Sequence, residues 1–99
     1  MVQIKWLASA KEDLKSIYEY IALDSPKYGR FQVLKIQQRT EQLKSHPNLG
    51  KMVPELDDPS VREIVEGHYR IIYKIKSNSE IIILFVHHGA RNFNKRTNI

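Results

Sequence analysis

At 99 residues the chain makes one domain, long enough to bury a single core without disulfide or metal staples. It has no cysteine, which excludes a disulfide framework, a thiolate zinc site and a thiol nucleophile. Hydrophobic residues make up 41% and charged residues 27%, and the net charge of +5 favours polyanions or an acidic protein partner, because a basic domain's field attracts both.

The first five residues after the initiator, "VQIKW", alternate as a short strand does. Ser9 followed by Glu12 has the spacing of a capping box and predicts a helix start. Leu14, Ile17, Tyr18, Ile21 and Ala22 then form one apolar stripe at helical spacing, with Lys11, Lys15 and Glu19 largely opposite. The N-terminus passes straight into this polar helix without an apolar leader, and no apolar run reaches the roughly 20 residues of a membrane span. The expectation is a cytoplasmic protein with no membrane association.

"DSPKYG" restarts the chain, with Ser25 placed to cap and Pro26 suited to a first helical turn. A second helix is predicted to about Ser45, with Val33, Ile36, Thr40 and Leu43 on one side, Phe31 and Leu34 beside them, and Gly29 weakening its first turn. Two helices joined by so few residues form an antiparallel hairpin. "HPNLGKMVPELDDPS" reads as loop, in which Asp57 and Asp58 before Pro59 are turn chemistry rather than a catalytic pair. "VREIVE" (61–66), "YRIIYKIK" (69–76) and "IIILFVHH" (81–88) follow as three strands with short separators, an antiparallel meander. There is no internal repeat and no linker. Residues 1–91 make the domain, and 92–99 a basic polar tail.

The expected fold class is therefore α+β in the order β-α-α-β-β-β, with the helical hairpin packed on one face of a mainly antiparallel sheet. The last strand is apolar on both faces, whether counted as Ile81, Ile83, Phe85, His87 or as Ile82, Leu84, Val86, His88. The middle strand sets Tyr69, Ile71, Tyr73 and Ile75 against Arg70, Ile72, Lys74 and Lys76. Helices cover one face only, so the other is left part apolar and part basic. A partner would cover such a surface, unless the tail or a curved sheet edge does.

His87 and His88 leave opposite faces of a strand and do not chelate one metal, and His46 and His68 lie in loops or turns, so no metal site is expected. Either imidazole suits general acid–base work near neutral pH, or simply ends a strand. Arg62, Arg70 and Arg91 lie on or beside neighbouring strands and could converge on a phosphate. The alternative is arginines snorkelling over the sheet rim or pairing with Glu63 and Glu66. Glu55 gains interest only if its loop folds back toward Arg70. No Gly-rich phosphate loop, nucleophile elbow or triad pattern is present, and no cofactor is implied.

Taken in order and with their spacing, "W" then "A..DL..I..YIA.DSP", "L..HPNLGK.VPEL", "REI", "YRIIYKI" and "I.IL.V.HGAR" resemble the RelE/ParE superfamily of toxins from bacterial type II toxin–antitoxin systems, often called plasmid stabilisation proteins. The resemblance covers about residues 3 to 91. It implies the same β-α-α-β-β-β fold, and a cognate antitoxin, partly disordered when free, that wraps the toxin. Operator DNA would be bound only through the antitoxin complex. RelE-like members cleave messenger RNA on the ribosome. On that reading Arg70 and His88 match catalytic positions, and Glu55 an acidic position used by some ribonuclease members. RelE-type enzymes also carry a tyrosine at or just past the last strand; here none follows Tyr73. ParE-like members instead poison DNA gyrase and have no hydrolytic site. "YIA.DSP", "G..VPEL", "YRIIY" and "V.H.AR" look more like ParE, which would make His88 and Arg91 structural or recognition residues. A degenerate member that only binds its antitoxin is the third expectation.

Overall fold

The computed structural model describes residues 1–89; Arg91 and the basic tail lie outside the described residues. The order is β1 (Gln3–Trp6), α1 (Ala8–Ala22), α2 (Pro26–Glu41), a single 3-10 turn (Gln42–Lys44), β2 (Lys51–Met52), β3 (Val61–Glu66), β4 (Tyr69–Ser77) and β5 (Glu80–His88). The predicted β-α-α-β-β-β architecture is present, with one addition. Lys51 and Met52, inside the segment read as loop, pair with Glu63 and Arg62 and make a fifth strand. The sheet runs β1-β5-β4-β3-β2, with β1 parallel to β5 and every other pair antiparallel.

The hairpin turn between β3 and β4 has two residues, Gly67 and His68. Gly67 sits at φ 60°, which a side chain would strain, and His68 does not, the pattern of a II′ turn. In α2 the predicted cap forms: Ser25 accepts the Tyr28 N–H at 3.1 Å, and Pro26 opens the helix. Gly29 does more than weaken that turn. A Cβ there would lie 3.0 Å from the Tyr18 ring, so its absence lets the two helices close together.

The α1 cap is a correction. Leu7 occupies the N-cap without a side-chain hydrogen bond, and Ser9 is already inside the helix. The Ser9 hydroxyl reaches across the interface instead and donates to the Leu84 carbonyl at 2.8 Å. One turn later, Asp13 accepts the Val86 N–H at 2.9 Å. Both acceptor and donor lie on β5 beyond Ile83, where its pairing with β1 ends, and beside a bulge in which Ile72 pairs with Phe85 but Tyr73 with Ile83, leaving Leu84 extra. The ladder is interrupted there, and a pair of polar side chains at i and i+4 on α1 bonds to the β5 backbone.

That bulge also changes which side chains share a face. The strict alternation read from β5 slips by one residue, so Ile81, Ile83 and Val86 face the helices while Phe85 turns away. The helix-side core joins these to Leu14, Ile36, Leu43, Ile71 and Tyr73, and the predicted split of β4 holds. Burial of each large apolar side chain contributes roughly 1.5–3 kcal/mol. Phe31 and Leu34, placed beside the stripe by periodicity, remain about half exposed on α2.

The second face of the sheet is not left open. Val53 and Leu56, from the segment after β2, pack on Val61, Ile72 and Phe85 and form a small separate core. The face expected to need a partner is thus largely closed by the chain's own strap.

Candidate functional site

The strap is anchored at its start by side chains from the sheet and closed at its end by a local turn. The buried Tyr73 hydroxyl donates to the Pro47 carbonyl at 2.8 Å and accepts the Gly50 N–H at 2.9 Å. Burial raises the pKa of this phenol. Arg62 donates from Nη1 to the Gly50 carbonyl at 2.8 Å. Gly50 lies so close to the sheet that a Cβ would come within 2.5 Å of the Glu63 carbonyl and 2.7 Å of the Tyr73 hydroxyl. Only glycine fits there. Further on, Asp58 accepts both the N–H and the hydroxyl of Ser60, at 2.9 and 2.7 Å, and turns the chain into β3.

Between these anchors the loop does fold back toward Arg70. Nη1 and Nη2 of Arg70 donate to the two oxygens of Glu55, each at 2.8 Å. Nε and Nη2 donate to the two oxygens of Glu63, at 3.1 and 2.6 Å. One guanidinium therefore holds two carboxylates by forked contacts. Glu63 is buried at 4% exposure, and Glu55 lies at the solvent edge. Hydrogen bonding to Arg70 is the main cause of the lowered Glu55 pKa, with burial opposing it. The Arg70 pKa is pushed higher still by Glu55 and then Glu63.

The register fixes which histidine belongs to this cluster. His87 stands opposite Arg70 and is buried, and its proximity also lowers the Glu55 pKa. His88 stands opposite Tyr69 on the other face, 5.3 Å from that ring edge-to-face and 6.1 Å from the stacked His68 ring. The expected set of Arg70, His88 and Glu55 is only partly brought together: Arg70 and Glu55 meet, and His88 is separated from them by the thickness of the sheet. Arg62 and Arg70 do not converge either. Arg62 pairs with Tyr73 and Arg70 with Val65 in the β3–β4 register, which puts them on opposite faces. Arg91 lies outside the described residues. The resemblance points to His88, and the register instead places His87 opposite Arg70. The signal for it was the pair itself: adjacent strand residues point opposite ways, so one histidine had to lie over Arg70.

Chemically, this arrangement is a brace. Glu55 and Glu63 both engage the one guanidinium, so a phosphate placed there would compete with two carboxylates. A carboxylate held below its ordinary pKa is a weak base for a hydroxyl proton. Among the described residues, no three His, Asp or Glu side chains gather to hold a metal ion. No described helix is long and apolar enough to cross a membrane.

Residues 4–93 match the model of the ParE toxin of the type II toxin–antitoxin system, parDE. The chain belongs to the ParE toxin family. Among solved structures it is similar to a chain of the chromosomal ParDE toxin–antitoxin system from P. aeruginosa, with a TM-score of 0.73 and 27% identity over 89% of this chain and 96% of that one. It also shares its fold with a chain of the RelBE2 toxin–antitoxin complex from Mycobacterium tuberculosis, with a TM-score of 0.65 and 19% identity over 88% of this chain and 96% of that one. No curated protein sequence matches it. A ParE-family toxin of type II systems thus carries the α+β fold derived from its pattern, and the RelE-like neighbour shares that fold.

Proposed function

We propose that this ParE-family chain is a gyrase poison: a toxin that stabilises the cleaved-DNA intermediate of DNA gyrase, has no hydrolytic site of its own, and is neutralised by a cognate antitoxin. It acts in the cytoplasm, stabilises the replicon that carries it, and meets operator DNA only through the antitoxin complex. The observation that carries this reading is the family match across residues 4–93. The geometry agrees with it. A ribosome-dependent ribonuclease needs a base, an acid and free cations around one phosphate. Here Arg70 is committed to two carboxylates and His88 points away from it.

The test combines the purified, antitoxin-free chain with gyrase, ATP and supercoiled plasmid, followed by detergent and protease. Linear DNA that requires both proteins is the expected product. Intact plasmid, from chain that is folded and arrests growth in cells, would overturn the reading and return the ribosome and its messenger RNA as the target. A chain that is folded but harmless when expressed alone would leave only antitoxin binding as its role.

A further inference from the structure

The net charge of +5 is not spread evenly over the chain. α2 carries Lys27, Arg30, Lys35 and Arg39, with no acidic residue before Glu41. Elsewhere among the described residues the signs are mixed. On α1, Lys11 and Lys15 are interleaved with Glu12, Asp13 and Glu19. In the sheet, Lys5 and Lys76 meet Glu80, Arg70 holds Glu55 and Glu63, and Lys74 acts on Asp58. The carboxylates nearest to α2 in sequence stand at its two ends, Asp24 ahead of the cap and Glu41 paired with Lys44. Helical spacing then sorts the four cations. Gly29, Ile36 and Thr40 are buried, which turns Lys27, Phe31 and Lys35, four residues apart, to solvent in one row with Arg30 beside them. Arg39 leaves the row and donates to the Val65 carbonyl at 3.2 Å. Lys35 is held in place: its ammonium lies 5.3 Å from the centroid of the Phe31 ring, which packs edge-on against Tyr28 at 6.0 Å.

We propose that this face of α2 binds the phosphate backbone of duplex DNA, with Lys27, Arg30 and Lys35 each neutralising one phosphate. Cations spread over about 12 Å of helix axis suit several phosphates rather than one small anion. A surface of a single sign fits a uniformly charged polymer better than a protein, whose charges alternate. Phe31, the natural anchor for a protein partner, already has Lys35 over its ring and Tyr28 beside it. The setting rests on the gyrase reading above: the duplex is the segment that gyrase holds, so the toxin touches the DNA as well as the enzyme. The contact is to the backbone and reads no sequence, which leaves operator recognition to the antitoxin complex.

The test measures binding of the full chain to a short duplex of arbitrary sequence over a series of salt concentrations, for wild type and two variants of unchanged melting temperature. Lys27→Gln/Arg30→Gln/Lys35→Gln is expected to bind about 10-fold more weakly or worse. Its log–log salt slope should be shallower by roughly 0.9 per phosphate, about 2.7 in all. Lys51→Gln/Lys74→Gln removes two exposed lysines from β2 and β4 and should keep the wild-type slope. The basic tail residues Arg91, Lys95 and Arg96 are unchanged in every variant, so their contribution cancels in the comparison. Wild-type chain that does not bind the duplex, or a triple variant with the wild-type slope, would overturn the proposal. Weakened binding of the triple variant to gyrase alone, with its DNA slope intact, would assign the face to an acidic protein surface and overturn it too. The expected fall in slope, found alongside a wild-type chain that yields no linear DNA with gyrase, would bear out the backbone contact and bring down the gyrase reading alone.

Discussion

The two faces of this sheet are sealed by different means. On one side, two helices of 15 and 16 residues cover a continuous core from Ala10 and Leu14 to Ile83 and Val86. On the other side the strap contributes Val53 to a core of four buried residues and packs the partly buried Leu56 against it. What the strap lacks in apolar contact it makes up in polar anchors: Tyr73 to Pro47 and Gly50, Arg62 to Gly50, and Arg70 to Glu55. A thin cover is held by directed bonds, a thick one by area. The helix side has directed bonds as well: Ser9 and Asp13 reach β5, and Arg39 donates from Nε to the Val65 carbonyl at 3.2 Å. Charged residues at the strap therefore read as structure before they read as catalysis.

The contrast can be broken most forcefully at Arg70. Arg70→Ala leaves Glu63 buried without its partner, and should cost about 3–5 kcal/mol in denaturant unfolding. Adjacent residues on β4 then sharpen it, because Ile71 and Ile72 are both fully buried but on opposite faces. Ile71→Ala opens a cavity in the helix-side core, where neighbours collapse little, and should cost about 4 kcal/mol. Ile72→Ala should cost nearer 2 kcal/mol, since the strap can settle into the space. Equal losses would show that the strap is as rigid as the hairpin. Tyr73→Phe removes the partner of both the Gly50 N–H and the Pro47 carbonyl, and about 2 kcal/mol of stability should go with it. Hydrogen exchange at Gly50 should quicken. Asp13→Ala removes the Asp13 acceptor of the Val86 N–H and should cost about 1 kcal/mol.

The smallest expected effect is in pH dependence. Because the folded-state pKa of Glu55 is lowered, its contribution is fully present above the ordinary carboxylate value of 4.5 and is lost as pH falls through the lower folded value. Glu55→Gln should therefore lower stability across the neutral region, where that contribution is fully present, and flatten the acid limb below pH 4.5, where variant and wild type converge. An acid limb as steep as wild type's would show that another carboxylate carries it.

Much of the fold was legible because its signals are periodic. The stripe from Leu14 to Ala22, the Ser25–Pro26 restart and the three strand runs each depend on residues close in sequence. Three features depend on long-range pairing and were not legible. The β5 bulge lets Phe85 and Val86 exchange faces, which no alternation count reveals. Ser9 looks like a cap in sequence because its partner, Leu84, is 75 residues away. The strap reads as loop by composition, yet Val53 and Leu56 spend themselves on the face that seemed to want a partner. Exposed apolar side chains lie on the helical hairpin as well, Phe31 and Leu34 among them. For the candidate site, the nearness of Glu55 to Arg70 was legible as a condition on the loop. The choice between His87 and His88 was not, because it is set by the register of β5 on β4.

The most direct test asks whether the Arg70 cluster is brace or machinery. Arg70→Met/Glu63→Leu replaces the buried ion pair with apolar side chains of similar size, an exchange that buried pairs often tolerate. Growth would be followed on expression of this variant without antitoxin, alongside its melting temperature. The predicted result is a folded variant that still arrests growth. A variant that melts as wild type does but no longer arrests growth would contradict it, and would place Arg70 in direct contact with the target.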